Sequence, residues 1–109
     1  MHELGIVAQV VDLAAERAGG AAIRRLVLEI GRLSMVMPDA VRFCFELATE
    51  GTLLAGAELD IVETDGLAQC RACGSDVVLE RPVGQCSCGG IDLEWVTGMQ
   101  VRILAMEVR

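Results

Sequence analysis

The chain has 109 residues, of which 53% are hydrophobic and only 3% aromatic, and it carries a net charge of −7. That length makes one domain, or one domain with a small insert, and its core must be aliphatic. All nine cations are arginines without a basic stripe, and Phe43, Phe45 and Trp95 are the only aromatics. The chain therefore offers neither a grip for phosphates nor a platform for stacked bases, so nucleic acid is not an expected partner. No apolar run reaches the roughly 18 to 20 residues that span a bilayer, and no basic segment followed by an apolar stretch opens the chain. The expectation is a cytoplasmic protein with no membrane partner.

In chain order, Leu4, Val7, Val11, Ala14 and Ala18 recur at three- and four-residue steps and predict a helix over about 4–18, ended by Gly19-Gly20. Ile23 to Ile30 then alternates, with Leu26, Leu28 and Ile30 on one side and Arg25 and Glu29 on a wet face. Pro38-Asp39 is a helix-entry signal, since proline suits the first turn and an acid there favours the dipole. That helix runs to about Glu50, burying Val41, Phe45 and Ala48, and stops at Gly51. A second strand follows at Glu58–Glu63, with Leu59, Ile61 and Glu63 on one side, and a last strand covers Met99–Val108 in an uncertain register.

Between Thr64 and Val96 the composition changes to glycines and four of the five cysteines, with little helical periodicity. Some thirty residues cannot build a self-sufficient core, so a staple is physically needed. The expectation is an α+β fold: two helices on a small three-stranded mixed sheet, with an inserted zinc-ribbon-like module. Residues 1–64 and 97–109 form the first domain and 65–96 the module.

Cys70-Arg71-Ala72-Cys73-Gly74 and Cys86-Ser87-Cys88-Gly89-Gly90 each present two thiols on one turn, which together supply the four sulfurs of a structural zinc site. Glycine after the second cysteine of each pair lets the turn tighten, so that backbone amides can approach sulfur. The second pair has one intervening residue where two are common, and Gln85 stands where a Cys-x-x-Cys reading would place sulfur. A disulfide pair or a thioredoxin-like redox motif is the rival reading; the first is rare in the compartment inferred, and the second needs only one Cys-x-x-Cys opening a helix. Cys44, in a helix pattern, reads as a small core residue. No nucleophile–base pair or paired carboxylates accompany these features, so an enzyme is not expected.

His2, the only histidine, sits one peptide bond from the amino terminus. The terminal amine, the His2 amide and the His2 imidazole offer a metal three nitrogens closing two chelate rings. A flat nitrogen/oxygen ligand set of this kind suits Ni(II) or Cu(II). Glu3 could add a carboxylate oxygen or its amide nitrogen, or simply serve the helix dipole as an acid in the first turn.

Met1-His2-Glu3-Leu4, Leu28-Glu29-Ile30-Gly31-Arg32-Leu33-Ser34 and Pro38-Asp39-Ala40-Val41-Arg42-Phe43 are followed by Glu50-Gly51-Thr52 and Gly56-Ala57-Glu58-Leu59. With the late cysteine module and the terminal Met106-Glu107-Val108, this succession resembles the HypA/HybF family of hydrogenase maturation nickel metallochaperones over essentially the whole chain. The resemblance implies a nickel(II) cargo site at Met1, His2 and Glu3, and a separate structural zinc(II) site at Cys70, Cys73, Cys86 and Cys88. It also implies partnership with a nickel-handling GTPase and delivery to the large subunit of a [NiFe] hydrogenase. The shortened Cys86-x-Cys88 spacing is a departure from many members. The competing function is a zinc-stabilised protein–protein adaptor with no metal-delivery role, in which His2 is incidental.

Overall fold

The computed structural model describes residues 2–109. Among them the elements run α1 (His2–Arg17), β1 (Ile23–Gly31), α2 (Pro38–Thr49), β2 (Glu58–Thr64), β3 (Gly66–Cys70), β4 (Asp76–Leu79), β5 (Leu93–Thr97) and β6 (Val101–Val108). The strands form two three-stranded sheets, ordered β2-β1-β6 and β4-β3-β5. In the first, Arg25 meets Glu107 and Glu29 meets Arg102, so β6 runs antiparallel to the central β1. Arg25 also meets Asp60, and the Arg32 N–H donates to the Thr64 carbonyl, so β2 runs with β1. A parallel pair needs a long crossover, which α2 supplies. The fold is therefore the expected α+β arrangement, two helices with a small mixed sheet. No helix among the described residues is long and apolar enough to cross a membrane.

The chain divides into two compact units. One comprises residues up to Glu29, Val36–Val62 and Arg102–Arg109; the other comprises Ile30–Met35 and Glu63–Val101. The module expected from composition, 65–96, lies within the second unit, which also takes in 30–35, 63–64 and 97–101. In the first unit α1 packs on α2. Val7, Val10, Val11 and Ala14 of α1 are buried, as are Ile23, Leu26 and Leu28 of β1, Val41, Cys44 and Phe45 of α2, and Leu54. Each large aliphatic among them contributes about 1.5–3 kcal/mol by leaving water, which is how a core nearly free of aromatics holds.

Three details depart from the periodicity. Val10 joins the buried stripe of α1, while Leu4 in the first turn is exposed, because the stripe runs out before the helix end. Ala48 is only half-buried, and Cys44 and Thr49 are covered in its place; the Thr49 hydroxyl is satisfied by donating to the Phe45 carbonyl at 2.7 Å. Glu29, expected on a wet face, is only 6% exposed and is paired with Arg102 at 2.5 Å. The cause is the central position of β1, where Arg102 of the neighbouring β6 reaches across to Glu29.

The second unit has a small core of Leu33, Ala68 and Leu79, with Val77 and Leu93 packed against it. β3 pairs antiparallel with β4 (Ala68 opposite Val77) and with β5 (Ala68 opposite Trp95), with a register shift between Leu67 and Ala68. Leu33 is admitted to this core by backbone-to-backbone contact. A Cβ on Gly31 would lie 2.0 Å from the Gly98 carbonyl oxygen, and one on Gly98 would lie 2.5 Å from the Gly66 Cα. So small an apolar core is too little to hold some forty residues, so the unit needs another bond.

Candidate metal centre

That bond has its place where β3 ends. Cys70 is the last residue of β3, Cys73 lies in the turn toward β4, and Cys86 and Cys88 lie in the turns that precede β5. Each pair sits on a closed backbone turn. The Cys70 N–H donates to the Ser75 carbonyl at 2.9 Å and the Gly74 N–H returns to the Cys70 carbonyl at 2.8 Å. In the second pair, the Cys86 N–H donates to Gly90 and the Gly89 N–H to Cys86, both at 2.9 Å. Gly74 and Gly89 have φ of 77° and 91°, a left-handed backbone that a side chain at either position would strain.

The four sulfurs converge. All lie within 4.8 Å of one another, and the closest approaches join the two turns, Cys70 to Cys88 at 3.7 Å and Cys73 to Cys86 at 3.6 Å. Four thiolates around one zinc at about 2.3 Å stand about 3.8 Å apart along the edges of a tetrahedron, so the cluster has the dimensions of a closed tetrahedral site. A disulfide would bring two sulfurs to about 2.05 Å, and none of the five cysteines is bridged. A thioredoxin-like motif needs a helix opening at the cysteines, and here the first pair runs from strand to strand.

The electrostatics also call for a cation. The Cys73 thiol is pulled down to about 6, first by a hydrogen bond with the Ser75 side chain and then by the Ser75 N–H, with Cys86 and Cys88 adding to the effect. The Cys88 thiol accepts from the Gly90 N–H, which favours its thiolate, yet the neighbouring Cys73, Cys70 and Cys86 push it up to about 11. The four cannot hold their charges together unaided, and a bound divalent ion removes the conflict by deprotonating the thiols it coordinates.

Cys86 joins the cluster despite the single residue between it and Cys88. Gln85 is left outside as a brace, its Nε2 donating to the Gly89 carbonyl at 3.0 Å. Gly90 comes so close that a Cβ there would stand 2.9 Å from the Cys70 sulfur, a role hinted at only by the doubled glycine after Cys88. Arg71, on the first turn, pairs at 3.2 Å with both Asp92 and Glu94. These pairs are exposed and worth little each, but they join the turn to β5. Cys44 is buried within α2 and stands outside the cluster.

The residues expected to hold nickel belong to the first unit. Met1 lies outside the described residues. His2 is exposed and is the first residue of α1. Glu3 is half-buried, and its Oε2 accepts from the Met37 N–H at 3.2 Å. That hydrogen bond, with one from its own backbone N–H, holds the Glu3 carboxyl below the usual carboxylate range. Met37 is the residue that caps α2, and its part in the terminal region had no signal in the sequence.

The sequence matches the family model for hydrogenase/urease nickel incorporation, the HypA metallochaperones, over residues 1–108. The hydrogenase maturation factor HypA of Trichormus variabilis is 50% identical over 108 residues, covering 99% of this chain and 96% of the relative. That of Nostoc punctiforme is 47% identical with the same coverage. Among solved structures, the solution structure of the Ni metallochaperone HypA from Helicobacter pylori superposes with a TM-score of 0.70 at 27% identity, covering 97% of this chain and 96% of that one. Two helices with small mixed sheets, a four-cysteine cluster and a match along the whole chain make this protein a member of the HypA family of hydrogenase maturation metallochaperones.

Proposed function

We propose that this protein binds Ni(II) at its amino terminus and delivers it for [NiFe] hydrogenase maturation, acting as a carrier and not as a catalyst. The Met1 amine, the His2 amide and the His2 imidazole are the ligands, with Glu3 next to them in the first turn. The observation that carries this reading is the start of α1 at His2. The first four N–H groups of a helix have no carbonyl within it, so the His2 amide can give its proton up and coordinate without breaking a helical bond. The exposed position also leaves few contacts to break when the metal departs. A dication opposes the positive end of the helix dipole, and the acid at Glu3 offsets that cost, which favours a hold that is firm but reversible.

Cys70, Cys73, Cys86 and Cys88 would hold a structural Zn(II). With four protein ligands it has no open position, so its contribution is folding free energy. The partners are a nickel-handling GTPase and the hydrogenase large subunit, in the cytoplasm. The adaptor reading draws on the exposed Val78, Val83 and Ile91 of the second unit. It predicts that His2→Ala leaves nickel binding and hydrogenase maturation intact. Calorimetric nickel titration of the native chain, of His2→Ala and of a chain whose Met1 amine is acetylated decides between the two. Terminal coordination predicts a loss of about a hundredfold or more in both altered chains, since each removes a chelating nitrogen. Equal binding by the acetylated chain would rule out the amine as a ligand.

A further inference from the structure

Two helix starts meet at Glu3. α2 opens at Met37, which has no side-chain oxygen and makes no cap hydrogen bond of its own, and Pro38 follows in the first turn. In a capping box, a glutamate in the helix's own first turn reaches back to the backbone N–H of the cap residue. Position 40 of α2, where that glutamate would stand, is Ala40. Glu3, on a different helix and 34 residues away in the chain, occupies the role instead: its Oε2 accepts from the Met37 N–H at 3.2 Å. Its negative charge also lies at the positive end of α2. The residue next to it is His2.

We propose that Glu3 is a positioning residue whose carboxylate caps α2 from the first turn of α1, and so holds His2 in place for nickel without itself coordinating the metal. This rests on the terminal-nickel reading above and assigns the Glu3 side chain its part in that site. With Glu3 clasped to Met37, the first turn of α1 is already ordered, and less conformational entropy is lost when the terminus closes around the ion. Any contribution of Glu3 as a ligand is then through its backbone amide.

The clasp can be broken from either side. Glu3→Ala removes the acceptor. Glu3→Gln keeps an oxygen that can accept from Met37 but removes the carboxylate. Met37→Pro removes the donor without touching the terminus, and the backbone at Met37, with φ −87° and ψ 116°, suits proline. In calorimetric nickel titrations of the full chain, Glu3→Ala and Met37→Pro should each weaken binding roughly three- to tenfold, as expected for one net hydrogen bond. The double variant should be no weaker than either single one, because both remove the same contact. Glu3→Gln should lose less affinity than Glu3→Ala, since it keeps an acceptor for the Met37 N–H. In the metal-free chain, hydrogen exchange at the Met37 amide should quicken in Glu3→Ala and stay slow in Glu3→Gln.

If Glu3→Gln loses as much affinity as Glu3→Ala while Met37→Pro binds like native, the carboxylate is a ligand and the proposal is overturned. If the native chain does not bind nickel, the terminal-nickel reading fails by itself. The Met37 amide then decides on the clasp alone, and equal exchange in native and Glu3→Ala overturns it.

Discussion

The four-cysteine cluster and the amino-terminal region solve opposite problems. The cluster is a closed cage: two hydrogen-bonded turns, two left-handed glycines and a glutamine brace set four sulfurs within 4.8 Å of one another. The terminal region is the exposed first turn of a helix, tied down through one hydrogen bond from Met37 to Glu3. A closed tetrahedral cage beside a small apolar core suits a metal that stays, because that core has little else to hold its unit together. Under the proposed terminal coordination, an exposed helix start with few contacts suits a metal that must leave. The difference lies less in the ligand atoms than in how much structure has to break when the ion departs.

The most severe way to break this contrast is Cys86→Ser. It should abolish tight zinc binding and unfold β3, β4 and β5, since structural zinc supplies about 10–16 kcal/mol of apparent binding free energy in small modules. Amide exchange that collapses in Glu63–Val101 but persists in α1 would be the expected readout. An unchanged zinc content would mean that the short Cys86-x-Cys88 spacing leaves Cys86 outside the ligand set.

Acidification should separate the sites from the other direction. The amine, the imidazole and the His2 amide must all be free of their protons to coordinate, so nickel affinity should fall by roughly a thousandfold or more between pH 8 and pH 6. Calorimetry across that range checks it, and a flat profile would speak against terminal coordination. Gly90→Ala tests how tightly the cage is drawn. Its methyl group would press on the Cys70 sulfur, and overpacking of that kind costs about 1–3 kcal/mol. Zinc release to a competing chelator should quicken while nickel titration is unaffected.

The mildest change touches neither metal. Arg102→Ala removes the partner of Glu29, whose side chain is 8% exposed. Breaking a buried pair costs about 3–5 kcal/mol, but the Arg102 side chain is 65% exposed and solvent screens much of it, so a loss of about 1–2 kcal/mol is expected. Thermal unfolding of the first unit should report it with both metal affinities intact.

Much of this was legible in the residues. The steps of Val7, Val11 and Ala14 announce α1, Pro38-Asp39 announces the start of α2, and the paired cysteines with their trailing glycines announce the cluster. Each is a local signal, carried by residues within a turn or two of one another. The burial of Glu29 was not legible, because it depends on Arg102, 73 residues distant, reaching across from the neighbouring strand β6. Nor was the contact between Glu3 and Met37, because an acid near a chain terminus looks the same whether it serves its own helix or another.

By itself, then, the sequence determined the elements, the aliphatic core, the existence of a four-thiol site and, through its match along the whole chain, the family. Periodicity, turn chemistry and spacing are written in neighbouring residues. Only the tertiary structure decided that Cys86 reaches the cluster through a shortened turn, that Gln85 braces it, and that the acid beside His2 caps a different helix. Those outcomes depend on which backbone groups are left without partners once the chain has folded, and no local pattern records that.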